Sequence, residues 1–421
     1  MNRRGDSFLQ EVIHHIKSKE AKQFVRAELE FHLKLAKNKW MSKGLTEADA
    51  ENKAVEQMGN PIHLGRQLNN LHKPKVDWIL IALVVIVMAV SFLPIVALGY
   101  TGQIMMNKII FVLLGAVMVY GMMIMDYRKL EKYGWLFYLV GVLILLMISY
   151  FPTAHSGGHL LLKLGPITIE SLQAIPFFFL AWASFFNNRK LKVWQLSVLF
   201  LLPLYLLLNI PSLSTTFLYL MMGFIMLWWS QLSKKKVLFI TIVPLVFSMI
   251  AGLFLLSSVK AYQLDRISGF LYPEQYANGS GYMYVRLKEL ILAGGWFGTA
   301  GNKEFIQAAH TDYVFASLTY YYGYLLAALL VLLLSFFLVR MITISTKLND
   351  SYSKLLLIGG ITLYGCPFIY NVGMMLGLLP LTSMSLPFIS YGLMPTLFNS
   401  FLIGIVLSVY RRKDLITSQI G

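Results

Sequence analysis

The chain is poor in charge and nearly devoid of cysteine: 13% of its 421 residues are Asp, Glu, Lys or Arg, and Cys366 is the single thiol. One cysteine excludes an internal disulfide and any CxxC metal site. A soluble globular domain carries roughly 25% charged residues, so an ordinary water-soluble enzyme is excluded as well. Acids are the scarcer sign, 20 against 36 Lys and Arg. The 14 prolines and 31 glycines are too few for a collagen-like chain, and 57% hydrophobic residues exclude disorder. The formal charge of +16 would raise nucleic acid as a partner for a soluble protein; here it has to be read by position.

What remains is a chain in two parts. Residues 1–77 hold 14 basic and 10 acidic residues and no apolar run long enough to cross a bilayer. They predict a soluble helical prefix. Thr46 followed by Asp49 has the spacing of a capping box, Ala50, Ala54, Val55 and Met58 share one helical face, and Gly59 closes the helix. Asn60 caps the next helix with Pro61 at its first position. The run from Gly44-Leu45 to Asn60-Pro61 resembles the small helical prefix found ahead of several bacterial permease-like proteins. It lacks the apolar core of a signal peptide.

From Trp78 onward apolar stretches of spanning length recur. They predict an all-α polytopic membrane domain over 78–413, with about ten transmembrane helices and a tail at 414–421. The expected spans are 78–100, 106–125, 134–151, 171–187, 191–210, 213–230, 235–258, 312–341, 354–377 and 386–410. Basic residues gather around Arg128, Arg189, Lys234 to Lys236, Arg340 to Lys354 and Arg411 to Lys413. Ten helices place all five groups on the side of the prefix, so both termini are expected in the cytoplasm. The positive charge is then a topology signal, and no nucleic acid is implied. On the outer side lie short turns, a medium loop at 152–170 and a long segment at 259–311. So long a connection is uncommon without a function. Val285, Leu287, Leu290 and Ile291 in it have helical spacing, which predicts an amphipathic helix on the outer leaflet.

Ten of the acids lie in the prefix, and Asp126, Glu131, Asp350 and Asp414 fall in cytoplasmic loops. Six are left outside: Glu170, Asp265, Glu274, Glu289, Glu304 and Asp312. None stands in the middle of a span, which disfavours a pump with an intramembrane proton relay. Asp312 stands at the entry to the eighth helix, in His310-Thr311-Asp312-Tyr313-Val314-Phe315-Ala316. Composition alone leaves two readings open, a helix cap made by Thr311 or Asp312 and a carboxylate with a chemical task.

These residues resemble the SEDS family (shape, elongation, division and sporulation; FtsW, RodA and SpoVE), which carries a His-Thr-Asp-Phe-Ile-Phe-Ala stretch at this place. Arg266, Pro273, Gly281-Tyr282 and Gly294-Gly295-Trp296-Phe297-Gly298 follow the order of the family's external loop. The likeness is strongest downstream, at Asn371-Val372-Gly373-Met374, Gly377-Leu378-Leu379-Pro380-Leu381-Thr382 and Leu386-Pro387-Phe388-Ile389-Ser390-Tyr391-Gly392. The resemblance implies a multi-pass protein of the bacterial cell membrane that polymerises lipid II, a disaccharide on undecaprenyl pyrophosphate, at the outer face. It implies Asp312 as the catalytic base and a class B penicillin-binding protein as partner. The leaving pyrophosphate needs cationic or N–H donors, for which Arg266, His310 and Lys288 are the candidates on the outer side, and of these Arg266 matches the family. Arg266, His310, Thr311, Ser390 and Tyr391 are the expected substrate-binding residues. No metal site or other cofactor is expected, although a divalent ion held between Asp312 and the substrate pyrophosphate stays open.

The sequence departs from the family around that site. Leu164-Gly165-Pro166 is kept, but an Arg-Arg-Trp is replaced at His159-Leu160-Leu161, a Glu falls on Gln173 and a Lys on Pro176. Pro-Asp-Leu-Gly-Thr becomes Pro211-Ser212-Leu213-Ser214-Thr215, a Pro-Glu becomes Gln307-Ala308, and a Glu-Glu becomes Tyr320-Tyr321. Gly-Gly becomes Gly392-Leu393. Two expectations follow: a divergent polymerase that keeps its base, or a non-catalytic paralogue that scaffolds cell-wall enzymes with Asp312 kept as a cap. A transporter of lipid-linked precursor is a weaker third.

Overall fold

The computed structural model describes residues 3–156, 159–164, 167–188, 190–238, 240–241, 261–299 and 308–415. The chain divides into two compact units, Met1–Asp77 together with Tyr410–Gly421, and Trp78–Val409.

The first unit is built from four helices, Arg3–His14, Lys19–Met41, Glu47–Met58 and Pro61–Leu71. The local chemistry read from the sequence is what ends them. Thr46 Oγ1 accepts from the Asp49 N–H, Gly59 takes the left-handed φ of 79° that closes a helix without a Cβ penalty, and Asn60 accepts from the Ile62 and His63 N–H groups. Ala50 and Ala54 are buried, while Val55 and Met58 pack at the edge of a core of Phe8, Leu9, Val12, Val25 and Leu29. Leu415 of the chain's tail belongs to that core. Arg412, fully buried, makes a two-pronged ion pair with Glu20 at 2.8 and 2.9 Å.

From Trp78 onward six helices or helix pairs among the described residues are long and apolar enough to cross a membrane: Trp78–Ala97, Gln103–Ile124, Tyr127–Tyr150, Val314–Ser345, Ser351–Met375 and Leu393–Leu415. Ser171–Asn187, Val193–Asn209 and Leu213–Trp228 are shorter apolar helices. Of the expected span 235–258, residues 242–258 lie outside the described residues. Ile175–Asn187 is apolar all round and buries Phe178, Phe179, Trp182 and Phe185 between Gly134–Tyr150, Leu213–Trp228 and Ser351–Met375. Gln103–Ile124, by contrast, leaves Leu113, Leu114 and Val117 exposed, as a lipid-facing helix does.

Three features differ from the expectations. The loop at 152–170 folds as a small antiparallel meander, Ala154–Ser156, His159–Leu164 and Ile167–Ile169. The helix Tyr282–Gly294 does not spend its apolar face on a leaflet: Leu287 and Leu290 are buried, and the helix packs along Val314–Ser345. The last span begins at Leu393 rather than 386, because Pro387 removes a backbone donor and Phe388 takes a φ of 62° that no helix admits.

The Gly-Gly-Trp-Phe-Gly run repairs a break in a membrane helix. Val314–Ser345 is interrupted at Gly323, with φ 83° and ψ 177°. Such a break in apolar surroundings needs partners for the freed backbone groups. The Tyr324 N–H donates to Gly295 O at 2.8 Å, and the Thr299 N–H donates to Tyr320 O at 3.0 Å. The approach is so close that a Cβ on Gly298 would stand 2.2 Å from Tyr321 O, and one on Gly323 2.3 Å from Trp296 O.

Candidate active site

Residues 308–313 form a turn ahead of the Val314–Ser345 helix, with Ala308 at a positive φ of 54°. The carbonyls from Ala308 to Asp312 are all engaged. Ala308 O accepts from the Thr311 N–H, Ala309 O from Ser317 Oγ at 2.8 Å, and His310 O from the Tyr391 N–H at 2.7 Å. Thr311 O accepts from Ser390 Oγ at 2.7 Å, and Asp312 O from Asn371 Nδ2 at 2.9 Å. A backbone with every acceptor spoken for has little freedom, so the Asp312 side chain leaves from a fixed point.

The cap reading of Asp312 does not match this geometry. The N-cap of Val314–Ser345 is Tyr313, with no side-chain cap bond, and Thr311 Oγ1 turns back to Ala308 O at 3.2 Å. The Asp312 carboxylate has no hydrogen-bond partner among the described residues and stands half-buried on the wall of a cavity of about 770 Å³. Burial first, and the charge of Glu170 second, push its pKa up to about 6.

Ser390 and Tyr391 line the same cavity, with Thr311. Their polar groups are largely spent on structure: the buried Ser390 hydroxyl accepts from the Leu386 N–H while donating to Thr311 O, and Tyr391 holds His310 through its N–H. His310 lies behind this wall, its ring edge-on to Tyr100 and Tyr391 with centroids 5.4 Å away in each case. Its Nδ1 is buried without a partner, and burial pushes its pKa down, which favours the neutral ring. Arg266 is exposed on the Ala261–Leu271 helix, beside Tyr284, and is not part of the cavity wall. Lys288 pairs with Glu274 at 3.0 Å on the surface.

The cavity also holds residues that the sequence did not single out. Glu170 is its second carboxylate. It precedes the 3-10 turn Ser171–Ala174 and makes no cap bond there. A wall of hydroxyls faces it: Ser171 Oγ donates to Thr215 Oγ1 at 3.0 Å, Ser212 Oγ lies 2.9 Å from the same oxygen, and Ser214, Ser383 and Ser385 complete the rim. The signal for these was in the replaced Pro-Asp-Leu-Gly-Thr run, where lost charge became hydroxyl. No Lys, Arg or His is among the described lining residues. In their stead, helices begin at the cavity: Ser171–Ala174, Leu213–Trp228 and Leu393–Arg412 each bring their first residues to its wall. Free N–H groups and the helix dipole make such ends attractive to anions. Among the described residues no three His, Cys, Asp or Glu side chains cluster as a metal site.

A carboxylate with no internal partner, a hydroxyl-lined cavity and a polytopic helical frame can be compared with known proteins. Residues 74–415 match the FtsW/RodA/SpoVE family, described as cell cycle proteins. The chain belongs to that family. Among its relatives, the peptidoglycan glycosyltransferase MrdB of Escherichia coli K12 is 26% identical over 335 residues, covering 76% of this chain and 86% of MrdB. A probable peptidoglycan glycosyltransferase FtsW of Coxiella burnetii is 28% identical over 336 residues, covering 74% of this chain and 87% of that protein. In fold, this FtsW/RodA/SpoVE member is similar to a chain of a peptidoglycan synthase complex that coordinates polymerization and crosslinking. The TM-score is 0.70 at 22% identity over 80% of this chain and 98% of that one. The rod shape determining protein RodA of Thermus thermophilus gives 0.59 at 21% identity, over 80% and 97%. This family member is thus a multi-pass helical protein of the bacterial membrane.

Proposed function

We propose that the chain is a divergent peptidoglycan glycosyltransferase that polymerises lipid II at the outer face of the cytoplasmic membrane. The observation that carries this reading is the Asp312 carboxylate, fixed by its backbone, unspent on capping and open to a large cavity. In the reaction the acceptor sugar's 4-hydroxyl gives its proton to an Asp312 carboxylate oxygen as its own oxygen bonds to the donor's anomeric carbon. The bond from that carbon to the lipid pyrophosphate breaks, and the pyrophosphate leaves with the electron pair. A base works best with a pKa near the working pH; at about 6, Asp312 is mostly ionised at pH 7 and more basic than an ordinary carboxylate.

The leaving anion is accommodated by the Ser212–Thr215 hydroxyls and the start of the Leu213–Trp228 helix rather than by cationic side chains. Positive residues in the short loops support cytoplasmic termini, hence a cytoplasmic prefix. The relatives' role in polymerisation and the coupled complex among similar structures support a class B penicillin-binding protein as partner.

Labelled lipid II given to the purified protein, with and without such a partner, tests the reading. Glycan chains are expected from the wild type, and Asp312→Asn is expected to lose about 100-fold or more in rate. Equal product from Asp312→Asn would remove the base from Asp312. No product under any pairing would turn the assignment to a membrane scaffold.

A further inference from the structure

A buried ammonium group lies outside everything described so far. Lys108, in the apolar span Gln103–Ile124, is 0% exposed. Its Nζ donates one hydrogen bond, 3.4 Å long, to the backbone carbonyl of Phe388. Among the described residues that carbonyl is its hydrogen-bond partner, and no ion pair joins it. Ionisable groups at membrane depth are costly and are kept where they perform a task. Lys108 is not part of the cavity wall, although Phe111, one turn further along its helix, is.

The acceptor is itself unusual. Phe388 has a positive φ of 62°, which a bulky side chain adopts only when its surroundings impose it. The Ile389 N–H donates to Pro387 O at 2.8 Å, closing a three-residue turn around Phe388. The two residues that follow are the ones that grip the Asp312 turn, Ser390 Oγ on Thr311 O and the Tyr391 N–H on His310 O, both at 2.7 Å. An unbroken series of contacts therefore runs from the Lys108 ammonium to the backbone that aims Asp312.

We propose that Lys108 is a positioning residue for glycosyl transfer: its ammonium holds the Phe388 carbonyl in the strained turn, and through Ser390 and Tyr391 that turn fixes the backbone of Asp312. The effect on rate rests on the polymerase reading; the effect on backbone order does not. A charged donor suits this task because it grips a carbonyl more strongly than a neutral donor does.

The test compares wild type, Lys108→Met, Lys108→Arg and Asp312→Asn as full chains in lipid nanodiscs. Amide hydrogen exchange is measured on peptides covering 386–392 and 308–313, alongside glycan formation from labelled lipid II. Lys108→Met is expected to speed exchange at the Ile389, Ser390 and Tyr391 amides at least tenfold. It is also expected to lower kcat by at least tenfold with KM within about twofold of wild type. Lys108→Arg is expected to restore most of both, while Asp312→Asn is expected to lower the rate of glycan formation about 100-fold or more and to leave the exchange as in wild type. If Lys108→Met does not fold, Lys108→Gln, too short to reach Phe388 O, takes its place. Unchanged exchange in the Met or Gln variant would overturn the inference, as would raised exchange with kcat unchanged. Absence of glycan from the wild type would instead end the polymerase reading, and the exchange result would still decide the Lys108 link.

Discussion

At the scale of single residues, the site is a pair of carboxylates without a described countercharge on the cavity wall. Asp312 is pushed up to about 6 by burial and by the like charge of Glu170. A base must be ionised to act, so the polymerisation rate is expected to rise with pH through about 6 and then level off. Removing the like charge favours the ionised form, so Glu170→Gln is expected to move the midpoint of kcat/KM against pH downward, while Glu170→Asp leaves it near wild type. A midpoint that stays put or rises in Glu170→Gln would break the coupling. Asp312 was legible in the sequence because few acids remain outside and it stands in a dense motif. Glu170 was not, since its partner is remote in the chain and the family resemblance pointed at Gln173 instead. His310 and Arg266 were expected at the pyrophosphate from their residue type; in the structure burial favours the neutral form of His310, and Arg266 lies on an exposed helix. Lys108 did carry a signal, a lone charge within an apolar run.

At the scale of elements, apolar length located the helices, while backbone chemistry set their ends and breaks. The last span starts late because Phe388 and Pro387 cannot be helical, and the strands of 154–169 escaped notice because alternation there is short and weak. The glycines of the Gly-Gly-Trp-Phe-Gly run could be read as packing or as a turn. They serve both purposes, letting 295–299 reach the broken turn at Gly323. At Gly298 a methyl group would meet the Tyr321 carbonyl in a backbone that also has a positive φ of 86°. Gly298→Ala is therefore expected to cost about 2–4 kcal/mol from overpacking and backbone strain together. Gly279→Ala, whose methyl group would meet Tyr276 O at an ordinary 3.9 Å, should change stability little. Thermal unfolding in detergent, read as the difference in Tm between the two variants, checks this; equal shifts would show that the backbone at Gly298 accommodates a methyl group without cost.

At the scale of the whole molecule, composition separated a charged helical prefix from an apolar remainder, and one of the two compact units is Met1–Asp77 together with Tyr410–Gly421. What composition did not reveal is that the prefix is completed by the other end of the chain. Residues from Tyr410 onward belong to its unit, Leu415 enters its core, His72 Nδ1 lies 2.7 Å from Asp414 O, and Lys75 pairs with the Asp414 carboxylate at 2.8 Å. The basic tail was read as an orientation signal, yet Arg412 is 0% exposed and held by Glu20 in a fork of two charge-assisted bonds. Glu20→Ala removes both bonds of the fork from a fully buried guanidinium, so it is expected to destabilise the prefix by about 3 kcal/mol. Replacing both partners by apolar residues of similar volume, Glu20→Leu with Arg412→Met, is expected to recover most of that loss, because the buried guanidinium is removed together with its carboxylate. The rate of limited trypsin cleavage within residues 19–41 measures it in the full-length protein, faster in Glu20→Ala and near wild type in the double variant. Cleavage as slow in Glu20→Ala as in the wild type would mean that the tail adds no stability to the prefix. A double variant cleaved as fast as Glu20→Ala would mean that the fork itself is what the prefix requires.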